Sequence, residues 1–168
     1  MNKGIFGSIF GIVLVAAYYL FFSGSGAVRY NDRIIDNQNE IVDGFEQFFG
    51  ALEKGSVGEM RMTLAELKVE IDEAIGNVSS MSDYKGNTEF RDKAIEVFEF
   101  YDTVASEDCP ELIEIFQPGN DALNDDDRQR IDEIVMNFQE DEDAYLDELD
   151  EIQRKFAKEH NFQVQRRR

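Results

Sequence analysis

Chemistry needs acids, bases, nucleophiles or metal ligands held close together, and this chain is richest in acids. Asp and Glu number 36 against 17 Lys and Arg, for a net charge of −19 at pH 7, with one histidine and one cysteine. A di-iron centre in a helical bundle takes inward glutamates and Glu-x-x-His from two helices. His160 follows Glu159, and no Glu-x-x-His occurs. A lone His160 and a lone Cys109 do not make a zinc ligand set, and one cysteine allows no internal disulfide. The run from Asn120 to Asp127 holds many oxygen ligands. It lacks the alternation, central glycine and closing glutamate of an EF-hand loop, and reads instead as a capped helix start. The acids Glu140, Asp141, Asp143, Asp147, Glu148, Asp150 and Glu151 read as a solvated face that binds divalent cations only weakly. No nucleophile elbow or glycine-rich phosphate loop occurs. No catalytic, cofactor-binding or metal-ligating residue is assigned, no cofactor is expected, and the chain reads as non-enzymatic.

Three polar residues stand in apolar rows. Asn31 and Gln38, one heptad apart, are candidates for setting helix register. Glu142 occupies a position where a core residue is expected. It is expected at a splayed position open to water; the alternative is a pairing with a basic side chain or with Gln38. Burial of an unpaired carboxylate would be too costly to leave it ionised. Tyr30-Asn31-Asp32 reads as a lock for the start of a helix.

The elements that position these residues are helices. From about Val28 to Leu52 the seam Ile34, Gln38, Ile41, Phe45, Phe48, Leu52 alternates spacings of four and three, with Ile35, Val42 and Phe49 beside it. From about Ser56 to Met81 the same alternation runs through Met60, Leu64, Leu67, Ile71, Ala74 and Val78. A third stretch begins near Thr88, a suitable N-cap, with Phe90, Ala94, Val97, Tyr101 and Val104. Pro110 breaks it, and Ser106 or Asp108 could recap a short segment burying Leu112, Ile113 and Phe116. The fourth starts near Asn124 and carries Ile131, Val135, Phe138, Glu142, Tyr145, Leu149, Ile152 and Phe156; it is expected to reach Phe162. Four amphipathic helices with short connections predict an all-α fold, an antiparallel up-down-up-down four-helix bundle over 28–163. Its first and last helix ends and the Tyr84-Lys85-Gly86 turn would share one end.

Ahead of it lies a segment of different character. From Ile5 to Phe22 there is no charged residue. That run spans about 27 Å as a helix, close to the thickness of a bilayer core. Residues 1–22 are read as a transmembrane signal-anchor, 23–27 as a flexible joint and 164–168 as a basic tail. The alternative is a cleaved signal, with Ser25 and Ala27 at cleavage spacing. A single-pass chain with its N-terminus inside and its acidic domain outside is expected, although Arg29 and Arg33 on the far flank give no help from the positive-inside rule. Gly7 and Gly11 form a Gly-x-x-x-Gly pair through which two membrane helices could pack, so weak self-association is allowed. Arg29, Arg33, Arg166, Arg167 and Arg168 are candidates for contact with anionic headgroups. The acidity of the remainder argues against nucleic-acid binding, since phosphates would be repelled. It suits a basic protein partner or cations.

Three short patterns carry a resemblance. They are Tyr30-Asn31-Asp32-Arg33-Ile34-Ile35 with Gln38; Tyr84-Lys85-Gly86 followed by Phe90, Asp92, Ala94, Phe98 and Tyr101; and Gln153, Phe156-Ala157 and His160-Asn161-Phe162. Together they resemble a family of small bacterial surface proteins named after a leptospiral member, over about Tyr30 to Phe162. The resemblance implies a helical, membrane-tethered domain on the outer side of a bacterial membrane, and no activity. Members of that family commonly look like lipoproteins. This chain has no cysteine near Ser23 to carry a lipid, so an uncleaved helix is the expected substitute.

Overall fold

The computed structural model of the chain describes residues 26–164. The expected anchor over 1–22, with Gly7 and Gly11, and the arginines Arg166, Arg167 and Arg168 lie outside them. The described residues are all-helical: α1 Gly26–Glu53, α2 Val57–Ser79, α3 Glu89–Ser106, the short α4 Asp108–Phe116 and α5 Asp125–Glu159, with a 3-10 turn at Asn120–Ala122. Their only bridge of strand type is the isolated pair Tyr84–Asn87. No helix among the described residues is long and apolar enough to cross a membrane.

The seams expected from spacing form the core. Ile34, Ile41, Phe45, Phe48 and Leu52 of α1 are buried with Met60, Leu67, Ile71, Ala74 and Val78 of α2. Phe90, Ala94, Val97 and Tyr101 of α3 and Ile131, Phe138, Leu149 and Phe156 of α5 complete it. Burying a side chain of this size contributes about 1.5–3 kcal/mol against the entropy of ordering it. α1 packs along α2, α2 along α3, and α3 along α5, with α4 tucked against α2, α3 and α5. Backbone approaches between α1 and α5 are few. Large rings bridge that gap: Phe45 stacks on Phe138 at 5.3 Å and Tyr30 meets Phe156 at 5.6 Å. Gly44 leaves room for α2, since a Cβ there would run into Glu70 Oε2 and lie 2.9 Å from Leu67 Cδ1.

Helix ends follow local chemistry, and here the sequence expectations need correcting. Of the joint expected over 23–27, Gly26 and Ala27 belong to α1, and 23–25 lie outside the described residues. Ala27 is 2% exposed and packs in the core. α5 stops at Glu159 and does not reach Phe162. Asn161 takes a left-handed φ of 57°, Phe162 N–H donates to Ala157 O at 3.0 Å, and Asn161 N–H donates to Lys158 O at 3.4 Å. This is a Schellman motif, closed by Phe162 packing back on Phe156. Gly55, with φ 65°, ends α1 by the same pair of bonds to Leu52 O and Ala51 O.

The break at Pro110 is real, but neither Ser106 nor Asp108 caps α4. Glu107 stands at its N-cap without a side-chain bond, and Pro110 sits in the first turn, where a missing N–H costs nothing. Thr88 is the N-cap of α3 but makes no capping bond; Asn87 Oδ1 instead accepts from Glu89 N–H at 2.8 Å. The start of α5 is capped as expected. Asn124 and Asp127 form a reciprocal capping box, and three aspartates in the first turn suit the helix dipole.

Candidate functional site

Two polar pairs lie inside this apolar core, one at an end and one at mid-height. Near the end, Asn31 of α1 is fully buried and its Oδ1 accepts from Gln153 Nε2 of α5 at 2.8 Å. A hydrogen-bonded amide pair between otherwise apolar faces fixes how α1 and α5 slide past each other, because any other register strands both amides. Asn31, expected as a register candidate, is buried and takes Gln153 as its partner. Gln38 is also buried, but it does not meet Glu142.

Around the Asn31–Gln153 pair, the three resemblance patterns converge. Tyr84, in the α2–α3 turn, packs on Tyr30 at 5.4 Å, Phe156 at 5.5 Å and His160 at 4.8 Å. Its ring also lies against the Cα of Gly26. Phe90 and Phe162 close the group against Phe156. The turn is tight: Gly86 N–H donates to Asp83 Oδ1, and Lys85 and Gly86 take left-handed φ values of 55° and 83°. Within the cluster Tyr30 Oη and His160 Nε2 are enclosed without hydrogen-bond partners. Burial raises the Tyr30 phenol above its ordinary value, with Arg91 opposing the shift. Arg29 and Arg33 lie on the exposed side of α1 at this end. The Arg33 guanidinium reaches Asn77 O at 3.4 Å.

The second pair corrects an expectation. Glu142 is not open to water and meets neither a basic side chain nor Gln38. It is 5% exposed, and Tyr101 Oη donates to its Oε1 at 2.8 Å. Tyr101 is itself fully buried, its ring 5.3 Å from Phe45 and 5.5 Å from Phe100. α5 has no room to splay here, because rings from α1 and α3 fill the space. Burial pushes the Glu142 carboxyl up to about 7, with the Tyr101 hydroxyl pulling the other way. The same burial and the neighbouring carboxyl drive the Tyr101 phenol well above its ordinary value.

Sequence reasoning missed Tyr101 as a donor, Asn37 and Lys93. Asn37 links α1 to α2, accepting from Asn77 Nδ2 at 2.9 Å and donating to Arg33 O at 2.6 Å. Lys93, only 9% exposed, binds Glu96 and Glu148 and lies 5.2 Å over the Tyr145 ring. A signal for Lys93 was present: a lysine directly before Ala94 falls beside the seam, where its stem must cover apolar surface.

Reactive chemistry finds few footholds. Cys109 is buried, and burial raises its thiol far from thiolate formation. Among the described residues no group of three His, Cys, Asp or Glu side chains could hold a metal ion. Of the acid run of α5, Glu140, Asp141, Asp143, Asp147 and Glu151 are exposed as expected, Glu148 is exposed but pairs with Lys93, and Asp150 is half-buried and pairs with Arg154. One shallow groove of about 370 Å³ opens between α3 and α5, floored by Phe100 and Tyr145 and edged by Glu96, Glu99 and Thr103. The loop at Gly55 and the 3-10 turn touch, since a Cβ on Gly55 would lie 3.2 Å from Asn120 Nδ2.

Compared with protein-family models, curated proteins and solved structures, the chain matches none. The resemblance to the bacterial surface family stands on its three short patterns alone.

Proposed function

We propose that this chain is a non-enzymatic module, anchored in a bacterial membrane by residues 1–22. Its domain lies outside the cytoplasm and holds partners through acidic helix faces and bundle-end loops. One observation carries the reading. Ala27 is a buried core residue of α1, and only Ser23, Gly24 and Ser25 separate α1 from the charge-free run. Cleavage after Ala27 would strip Gly26 and Ala27 from α1 and remove a core side chain. An uncleaved leader leaves the domain whole.

The bundle is antiparallel, up-down-up-down. Support comes from pairs whose numbering runs in opposite senses: Asn37 with Asn77 and Gly44 with Leu67 between α1 and α2. Tyr30 with Phe156 and Phe49 with Phe138 do the same between α1 and α5. In that topology the aromatic end faces the membrane, with Arg29 and Arg33 exposed at that end. Each arginine near an anionic leaflet contributes up to about 1 kcal/mol. The loop at 55–58 and the Pro118-Gly119-Asn120 turn face away, where a soluble basic partner reaches them.

Membrane fractionation with intact-mass measurement and external protease tests this. A full-length mass in the membrane fraction, with the domain cut by protease from outside, is the expected result. A second reading is a cleaved periplasmic carrier, favoured by the groove at Phe100 and Tyr145. Lys93 already pairs with Glu96 and lies over the Tyr145 ring, which leaves Phe100 and Glu99 of the lining to a cationic cargo. A soluble mature form beginning at Val28 would select that reading.

A further inference from the structure

The outward face of α2 is organised as carefully as its inward face. Met60, Leu64, Leu67, Ile71, Ala74 and Val78 turn into the core. On the opposite side run Gly58, Met62, Ala65, Val69, Asp72 and Gly76, all exposed, with the alternating four-and-three spacing of a coiled-coil seam. Met62, Val69 and Gly76 take the a positions and Gly58, Ala65 and Asp72 the d positions. Nothing lies within 4 Å of a Cβ placed on Gly58 or Gly76. The large hydrophobics standing exposed among the described residues are Met62 at 56%, Val69 at 55% and Met136 at 66%. Two of these three stand one heptad apart on this seam, in a chain whose other surfaces are crowded with acids.

The flanks say what covers it. On one side the e positions are Glu59, Glu66 and Glu73; on the other the g positions are Arg61, Lys68 and Ile75. In a parallel pair of helices each g side chain faces the e side chain of the next heptad on the other helix. Arg61 then meets the second copy's Glu66, and Lys68 meets its Glu73. An antiparallel pair would set Glu against Glu and base against base. No ion pair among the described residues uses Arg61, Lys68, Glu66 or Glu73. Arg61 makes only a 3.4 Å contact to Gln117 Oε1.

We infer that the outward face of α2 is a self-association surface, on which a second copy of this chain docks in parallel, α2 against α2. The glycines and Ala65 let the two backbones approach closely, while Met62 and Val69 interlock. Asp72 faces its own counterpart across the seam and weakens the pairing by like-charge repulsion, so association is reversible. Two copies anchored in one membrane by the same end would also run parallel, so the register agrees with the proposed anchorage without requiring it.

Site-directed cross-linking of the full-length chain tests this, in detergent micelles and in membranes. Cys109 is buried and leaves the background silent. Met62→Cys and Gly76→Cys should each give disulfide-linked dimers on mild oxidation, while Met136→Cys on α5 should stay monomeric. Val69→Glu or Lys68→Glu should abolish the link at Met62→Cys. Adding Glu73→Lys to Lys68→Glu should restore it, and Asp72→Asn should strengthen it severalfold. All these positions face solvent, and circular dichroism verifies that each variant remains folded. Links no stronger than those of Met136→Cys would overturn the surface. Links only between Met62→Cys and Gly76→Cys in a mixture would overturn the parallel register. A dimer that survives Val69→Glu while Met62→Cys stays unlinked would assign self-association to another face. Sedimentation with membranes reads anchorage separately and is unchanged by any of these substitutions.

Discussion

Replacing Glu142 with glutamine should stabilise the domain at alkaline pH and do nothing at acid pH. The native carboxyl holds its proton to about 7, whereas its ordinary value is 4.5. Across that window the native state binds more protons than the unfolded chain, so stability falls as pH rises through it. Above pH 7 the full cost of an ionised carboxylate in the aromatic layer is present, ~3 kcal/mol at 1.36 kcal/mol per pKa unit. Glutamine keeps an oxygen for the Tyr101 hydroxyl and never ionises. Thermal unfolding of the two proteins by circular dichroism should show Glu142→Gln melting roughly 10 °C higher at pH 8.5, with the gap closing toward pH 4.5. Taking the difference between two otherwise identical chains cancels the titration of the remaining acids. A glutamine variant less stable at pH 8.5, or a gap that ignores pH, would show that Glu142 is not buried against Tyr101.

Tyr101→Phe removes the one donor that holds the Glu142 carboxyl down, so the pH midpoint of the stability loss should move upward in the same melts. Asn31→Leu or Gln153→Leu alone leaves one amide buried without its partner and should cost about 1–3 kcal/mol in chemical denaturation. The double substitution should cost less than the sum of the singles, a coupling that a double-mutant cycle reads directly. Asn161→Gly should be nearly neutral, while Asn161→Val, forced to a φ of 57°, should lose about 1–2 kcal/mol.

Much of the fold was legible because burial repeats with the helical period. The seams through Ile41, Leu67, Val97 and Phe138 are the core, and the Asn124–Asp127 cap starts α5 where acids cluster. What the period cannot give is partnership across helices. Tyr101 occupies a seam position as any aromatic would, and nothing in its local sequence points to Glu142, 41 residues away. Expecting Glu142 to meet water was reasonable while the neighbouring rings were unplaced. Phe45, Phe100 and Phe138 pack on Tyr101, and Glu142, bonded to that tyrosine, is shut away from water with it. Helix ends proved readable where side chains force them: Pro110 broke one helix and the Asn124–Asp127 box started another. Asn161 followed by Phe162 was a stop signal of the Schellman kind that the apolar period overran. The outward seam of α2 was present in the sequence throughout, overshadowed by the stronger buried row on its other face.

Intact mass of the native protein recovered from sedimented membranes tests the account most directly. A chain that retains residues 1–22, with its domain digestible from outside the cell membrane, is the predicted result. A soluble protein starting at Val28, stably folded without Ala27, would contradict it.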